Sequence, residues 1–179
     1  VMVSDVDSEG ARAVARELGG AAMALDVTDA AAVDAAMRHT VQTLGGLHIL
    51  VNNAGIYQGY GGPVRDITDE KWRRLWQVNV DGVFYCCRAA AAIMIEQGVG
   101  GRIINVSSTQ AVSPGVGVTY DGSKAAVAQI TRALALELDG DLDFATEALA
   151  FGQHLQRHPV VRGRHAIGQL RSGSSGHWR

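Results

Sequence analysis

Four apolar runs, each ending in a polar cluster and each followed by a helical pattern, constrain the fold of this chain more than any other feature. VMVS (1–4) ends at Asp5, AAMALDV (21–27) closes on Asp26 and Val27, LHILV (47–51) runs into NNAG (52–55), and RIINV (102–106) runs into Ser107 and Ser108. Ser8 stands where it can cap a helix through about Leu18, and Thr28 where it can cap one carrying Val33, Met37, Val41 and Leu44 at helical spacing. Thr68, followed by Asp69 and Glu70 at the favourable end of the dipole, opens a long helix to about Gln97. A last helix is expected from Tyr120 to about Leu138. Strands apolar on both faces and separated by such helices form a parallel sheet covered on both sides. In open parallel sheets ligands sit beyond the carboxyl ends of the strands, which is where the polar clusters fall. Asp, Asn, Ser and Gly are also ordinary turn formers, but four consecutive strands ending this way point to a site.

The clusters suit parts of a dinucleotide. An acid after a strand accepts both hydroxyls of an adenosine ribose and repels a 2′-phosphate, so Asp5 favours NAD over NADP; a plain turn aspartate is the alternative. Asp26 with Val27 offers an adenine a carboxylate acceptor and an apolar wall. Asn53, Ala54 and Gly55 end in residues small enough for backbone to approach a ribose. The fragment YDGSK (120–124) sets a tyrosine and a lysine one helical turn apart. With four Tyr and two Lys in 179 residues, chance yields roughly 0.04 such pairs. Such a pair is either two polar residues on one exposed helix face or a proton-transfer site. An unperturbed phenol ionises near pH 10, about 4 kcal/mol from use at neutrality, and a neighbouring ammonium shifts it in the required direction.

At 47% hydrophobic and 19% charged, the chain suits a single globular domain. No uninterrupted apolar run reaches about 18 residues and no charged-then-apolar leader opens the sequence, so a cytoplasmic protein without membrane contact is expected. Cys86 and Cys87 are adjacent in a helical pattern, where they cannot easily bridge, and read as packed small hydrophobes.

Taken in order, DV (26–27), NNAG (52–55), Asn79 within WQVNVDGVF, NVSS (105–108) and YDGSK (120–124) make the chain resemble the short-chain dehydrogenase/reductase family over about residues 1–138. The resemblance implies a Rossmann-like doubly wound parallel sheet and hydride transfer between NAD(H) and an alcohol or ketone. It implies that Tyr120 is the general acid/base, Lys124 its activator and a ribose ligand, Ser108 the substrate-orienting hydroxyl and Asn79 the organiser of a water relay. The choice of serine stays open: a spacing of 13 residues before the tyrosine selects Ser107, while second place in the pair selects Ser108, which is preferred. On its own, Asn79 among Trp72, Trp76, Val80 and Phe84 also reads as a satisfied core amide. The family's homotetramers or homodimers form through two long helices, here about 68–97 and 120–138.

Two departures qualify the resemblance. The chain opens in the strand that comes second in the family, so the first βα unit, with its glycine-rich pyrophosphate turn, is expected to be missing. Beyond Leu138 the sequence changes character: residues 151–179 hold five Arg and no Asp or Glu, against 11 basic and 18 acidic residues before them. Residues 139–179 are expected to be an atypical basic tail, helical over 141–157 and otherwise disordered. A nucleic-acid arm lacks an aromatic stacking pattern and His154 with His158 lacks a third ligand, so neither nucleic acid nor metal is expected. The alternative to an enzyme is a catalytically inactive Rossmann-like fragment serving as a binding or regulatory protein.

Overall fold

The computed structural model describes residues 1–138 and the backbone of 144–151. Strands and helices alternate: β1 (Met2–Asp5), α1 (Ser8–Glu17), β2 (Ala21–Ala24), α2 (Ala30–Leu44), β3 (Ile49–Asn52), α3 (Asp69–Trp76), α4 (Gly82–Gln97), β4 (Gly101–Ser108), α5 (Val118–Glu137) and β5 (Phe144–Phe151). Every strand pair is parallel, as the doubly apolar runs require. Local chemistry sets the boundaries. Aspartates rather than the neighbouring hydroxyls cap the first two helices: Asp7 accepts from the N–H groups of Glu9 and Gly10, and Asp29 from those of Ala31 and Ala32. Thr68 caps α3 as its position predicts. β2 stops at Ala24, short of the expected Val27, because Asp26 turns the chain by accepting from the Thr28 N–H and hydroxyl.

The long helix expected from Thr68 to Gln97 is one run with a π turn, Gln77–Asp81, between α3 and α4. Asp81 and Arg88 break it as an apolar run in the sequence, yet the 29 residues Asp69–Gln97 are long and apolar enough to cross a membrane. About half of its most apolar stretch, 56%, is buried inside the molecule, the behaviour of a core helix. Its Met94 side chain is fully buried with Val33 of α2, Ile103 of β4 and Val127 of α5. Each such side chain contributes about 1.5–3 kcal/mol by leaving water.

The sheet is split. β1 pairs with β2, and β3, β4 and β5 form a second sheet in that order. Among the described residues nothing pairs with the other edge of β1 or of β3, and a cavity of about 590 Å³ lies between them, lined by both strands and by α2 and α4.

One expectation fails beyond Leu138. Residues Phe144–Phe151, read as part of a helix, form a strand in register with the whole of β4, from Gly101 opposite Phe144 to Ser108 opposite Phe151. Ala, Glu and Leu favour a helix in isolation, but the free edge of β4 offers eight residues of ladder, and tertiary pairing overrides that weak preference. The rest of the expected helix and tail, including His154 and His158, lies outside the described residues.

Candidate active site

Tyr120 and Lys124 stand on the first two turns of α5, with the Lys124 Nζ 5.8 Å from the centre of the Tyr120 ring. Spacing of four places both on one helix face. Lys124 is almost fully buried; its ammonium donates to the Val106 carbonyl at 2.9 Å, and burial pushes its pKa down from 10.5. Together with Asn53, Gly55, Tyr57 and Ser107 they line a cavity of about 280 Å³ at the carboxyl ends of β3 and β4.

Asn79 lies in the π turn with no exposed surface. Its Oδ1 accepts from the Ile56 N–H at 2.8 Å, while Nδ2 donates to the Ile56 carbonyl at 3.0 Å and to the Ser123 hydroxyl at 3.2 Å. Ser123 in turn donates to the Tyr120 carbonyl at 2.7 Å. Asn79 therefore ties the loop after NNAG to the helix that carries Tyr120. A methyl group added at Gly55 would lie 3.4 Å from the Lys124 Nζ and 3.5 Å from the Asn79 Oδ1, so the bare backbone there keeps the three groups close.

The two serines part company. Ser107 lines the cavity and donates to the Lys124 carbonyl at 2.8 Å. Ser108 is not among the cavity's lining residues; its hydroxyl bonds to the Gln110 side chain and accepts from the Gln110 N–H, capping a short 3-10 turn, Thr109–Ala111.

Asp5, Val27, Asn53 and Ala54 all line the larger cavity, and Asn53 lines both. Gly55 belongs to the smaller one. Asp26 lines neither: its carboxylate is held by Thr28, which keeps its pKa low, with Arg74 adding a smaller effect. Among the described residues no group of three or more His, Cys, Asp or Glu side chains is placed to hold a metal ion.

Sequence reasoning missed Ser123, although a serine hydroxyl returning to a carbonyl three residues back is a common local pattern. It also missed the buried chain linking β3, α4, β4 and α5. Asn52 Nδ2 donates to Asn105 Oδ1 at 2.8 Å and to Cys87 Sγ at 3.2 Å, and Asn105 Nδ2 donates to Thr131 Oγ1 at 2.9 Å. No spacing in the sequence marks it, because its members lie on four elements.

Parallel strands flanked by helices, with polar side chains gathered at the carboxyl ends, define a Rossmann-like α/β protein. Residues 1–141 match the family described as short chain dehydrogenase, and the chain belongs to that family. It is 42% identical to the sorbitol dehydrogenase of Cereibacter sphaeroides over 143 residues, which are 77% of this chain and 54% of that enzyme. A ribose-5-phosphate isomerase structure from Brucella melitensis superposes with a TM-score of 0.78 at 31% identity, covering 84% of this chain and 57% of the other. A gluconate 5-dehydrogenase from Burkholderia cenocepacia, solved with NADP and tartrate, gives 0.74 at 32% identity, covering 83% and 59%. The chain thus spans about half the length of the curated relatives it matches.

Proposed function

We propose that this chain is part of an oxidoreductase that moves a hydride between NAD(H) and an alcohol or ketone, with Tyr120 transferring the proton. The observation that carries this reading is the shared cavity in which the buried Lys124 ammonium sits beside Tyr120 while Asn79 and Ser123 hold the backbone of both flanking segments. In the oxidising direction the Tyr120 phenolate takes the proton of the substrate hydroxyl, and in the reducing direction the phenol returns it. Lys124 sets its ammonium beside the proton-transferring ring, 5.8 Å from the ring centre. A serine hydroxyl from the end of β4 holds the substrate oxygen in line; Ser108 is the family's choice by pair position, and Ser107 is the one facing the cavity. Asn79 keeps the wall of the site in place, and the π turn around it is where a water relay would reach Lys124.

The residues fit a dinucleotide at both of its ends. Asp5, Val27 and Ala54, at or just past the carboxyl ends of their strands, would hold the adenosine end, and Asn53 and Gly55 pass it to Tyr120 and Lys124 in the smaller cavity. When bound, the nicotinamide supplies the acceptor or donor of the hydride. Asp5 favours NAD through repulsion of a 2′-phosphate, although the gluconate 5-dehydrogenase relative was solved with NADP. Asp26 accepts from Thr28 through Oδ1 alone, and its Oδ2 would be the acceptor offered to the adenine. Exposed Phe84 and Ile95 on α4 and Leu136 on α5 support assembly into a homodimer or homotetramer through these helices.

Fluorescence titration with NADH, with and without D5A, and turnover of alcohol and ketone panels by the parent, Y120F, S107A and S108A test the proposal. Saturable binding weakened by D5A, with turnover lowered about 10²–10⁴-fold by Y120F, is expected. Turnover that survives Y120F unchanged would sink the assignment, and binding without turnover in the parent would favour a regulatory protein. Whichever serine variant loses activity identifies the orienting hydroxyl.

A further inference from the structure

The residue between Tyr120 and Gly122 is engaged in contacts that proton transfer does not require. Asp121 is 8% exposed, and its carboxylate turns back from the helix toward the loop before it. Oδ2 accepts from the Gly115 N–H at 2.9 Å and the Gly117 N–H at 3.3 Å, and Oδ1 from the Val116 N–H at 3.3 Å. Three consecutive amides converging on one group form a concavity that suits an anion, and here the chain supplies the anion itself.

The loop so held leans on a second one. A methyl group added at Gly61 would lie 3.0 Å from the Val116 carbonyl oxygen, and one at Gly117 would lie 3.6 Å from the Gly61 Cα and 3.7 Å from the Gly62 nitrogen. The two loops therefore meet backbone to backbone. The second loop is tied to Tyr57 by the Tyr60 N–H, which donates to the Tyr57 carbonyl at 3.2 Å. The Tyr57 ring lines the smaller cavity, 5.8 Å from that of Tyr120. A continuous set of contacts runs from one carboxylate through 115–117 and 61–62 to the mouth of the site.

We infer that Asp121 is a positioning residue, whose carboxylate fixes both glycine-rich loops and so sets the opening, bounded by Tyr57, through which a substrate meets Tyr120. The inference rests on the reading of Tyr120 as the reacting group. Asp121 touches no reacting atom, so its loss loosens substrate binding and leaves the chemical step alone. Asparagine in its place keeps one acceptor and turns an amide N–H toward backbone donors, whereas glutamate keeps both oxygens.

Hydrogen exchange of the full chain tests this without any ligand. D121N is expected to speed exchange about ten-fold in 115–117 and also in 57–62, which Asp121 does not touch, with β3 and β4 unchanged and D121E closer to the parent. Gly61→Ala, which crowds the Val116 carbonyl from the opposite side, is expected to open the same two loops. Unchanged exchange in 57–62 in D121N and G61A would overturn the inference. In turnover, D121N is expected to raise the substrate KM about five-fold with kcat within about two-fold; a fall in kcat at constant KM would also overturn it. Absence of turnover in the parent counts against the dehydrogenase reading, and exchange then decides the loop clamp alone.

Discussion

Cys86 and Cys87 show how a pair of small side chains can govern the response of a fold to pH. Both are buried, and loss of solvation pushes their thiols from 9.0 up to about 11 and about 12. For Cys87 the hydrogen-bonded side chains of Asn105 and Asn52 only partly oppose that push, and the neighbouring Cys86 adds to it. Below pH 9 both thiols are protonated whether the chain is folded or not, and they contribute nothing to pH dependence. Between 9 and about 11–12 the unfolded chain releases these protons and the folded one keeps them, so stability falls as pH rises. Each thiol contributes a slope of about 1.4 kcal/mol per pH unit at most. Urea unfolding at pH 8, 9, 10 and 11 should show this decline, and C86A/C87A, less stable at pH 8, should show a shallower one. Parallel profiles for parent and variant would place the alkaline sensitivity elsewhere.

The same scale separates what the sequence disclosed from what it hid. Helical spacing and an ordered set of short motifs single out Tyr120, Lys124 and Asn79 in the sequence, and the fold brings these candidates to one end of the sheet. The serine is not singled out, because successive residues of a strand point to opposite faces and the strand's last residues escape that rule. Ser107 and Ser108 are both buried, and only the cavity that Ser107 lines and their different hydrogen-bond partners tell them apart. Asp26 reads as an adenine ligand, and the structure adds a second task for it, since Oδ1 also holds the Thr28 N–H and hydroxyl, a bond visible only once the turn is built.

At the scale of elements, the contact between α4 and the turn after β2 depends on a missing side chain. A methyl group added at Gly82 would lie 2.6 Å from the Val27 Cγ2 and 3.4 Å from the Val27 carbonyl oxygen. The first neighbour is a stiff, β-branched side chain and the second is backbone, so neither gives way cheaply. Gly82→Ala should destabilise the fold by about 1–3 kcal/mol, since overpacking outweighs the gain in helix propensity. Because Val27 is also the proposed apolar wall for the adenine, NADH affinity should fall with it. A rise in urea midpoint for G82A would show that Val27 moves freely. Element type was legible wherever a strand or helix carried its own pattern. It was not legible for Phe144–Phe151, whose state is decided by the open edge of β4 rather than by its own residues.

On the scale of the whole molecule, the split sheet leaves β1 and β3 with hydrogen-bonding edges that no other described strand covers. Apolar side chains accompany the gap: Ile49 is 60% exposed and Val51 54%, and both line the larger cavity. A flat, apolar, unpaired edge recruits other chains, and charge on such a strand is the usual remedy. The chain should therefore form species larger than a dimer or tetramer as its concentration rises, and I49K and V51K should suppress them. Light scattering after gel filtration separates this from assembly through α4 and α5, which lysines on β3 leave intact. Discrete dimers or tetramers in the variants, with the larger species gone, would locate the excess association at the gap. Identical elution of parent and variants at every concentration would show that these edges are not what associates.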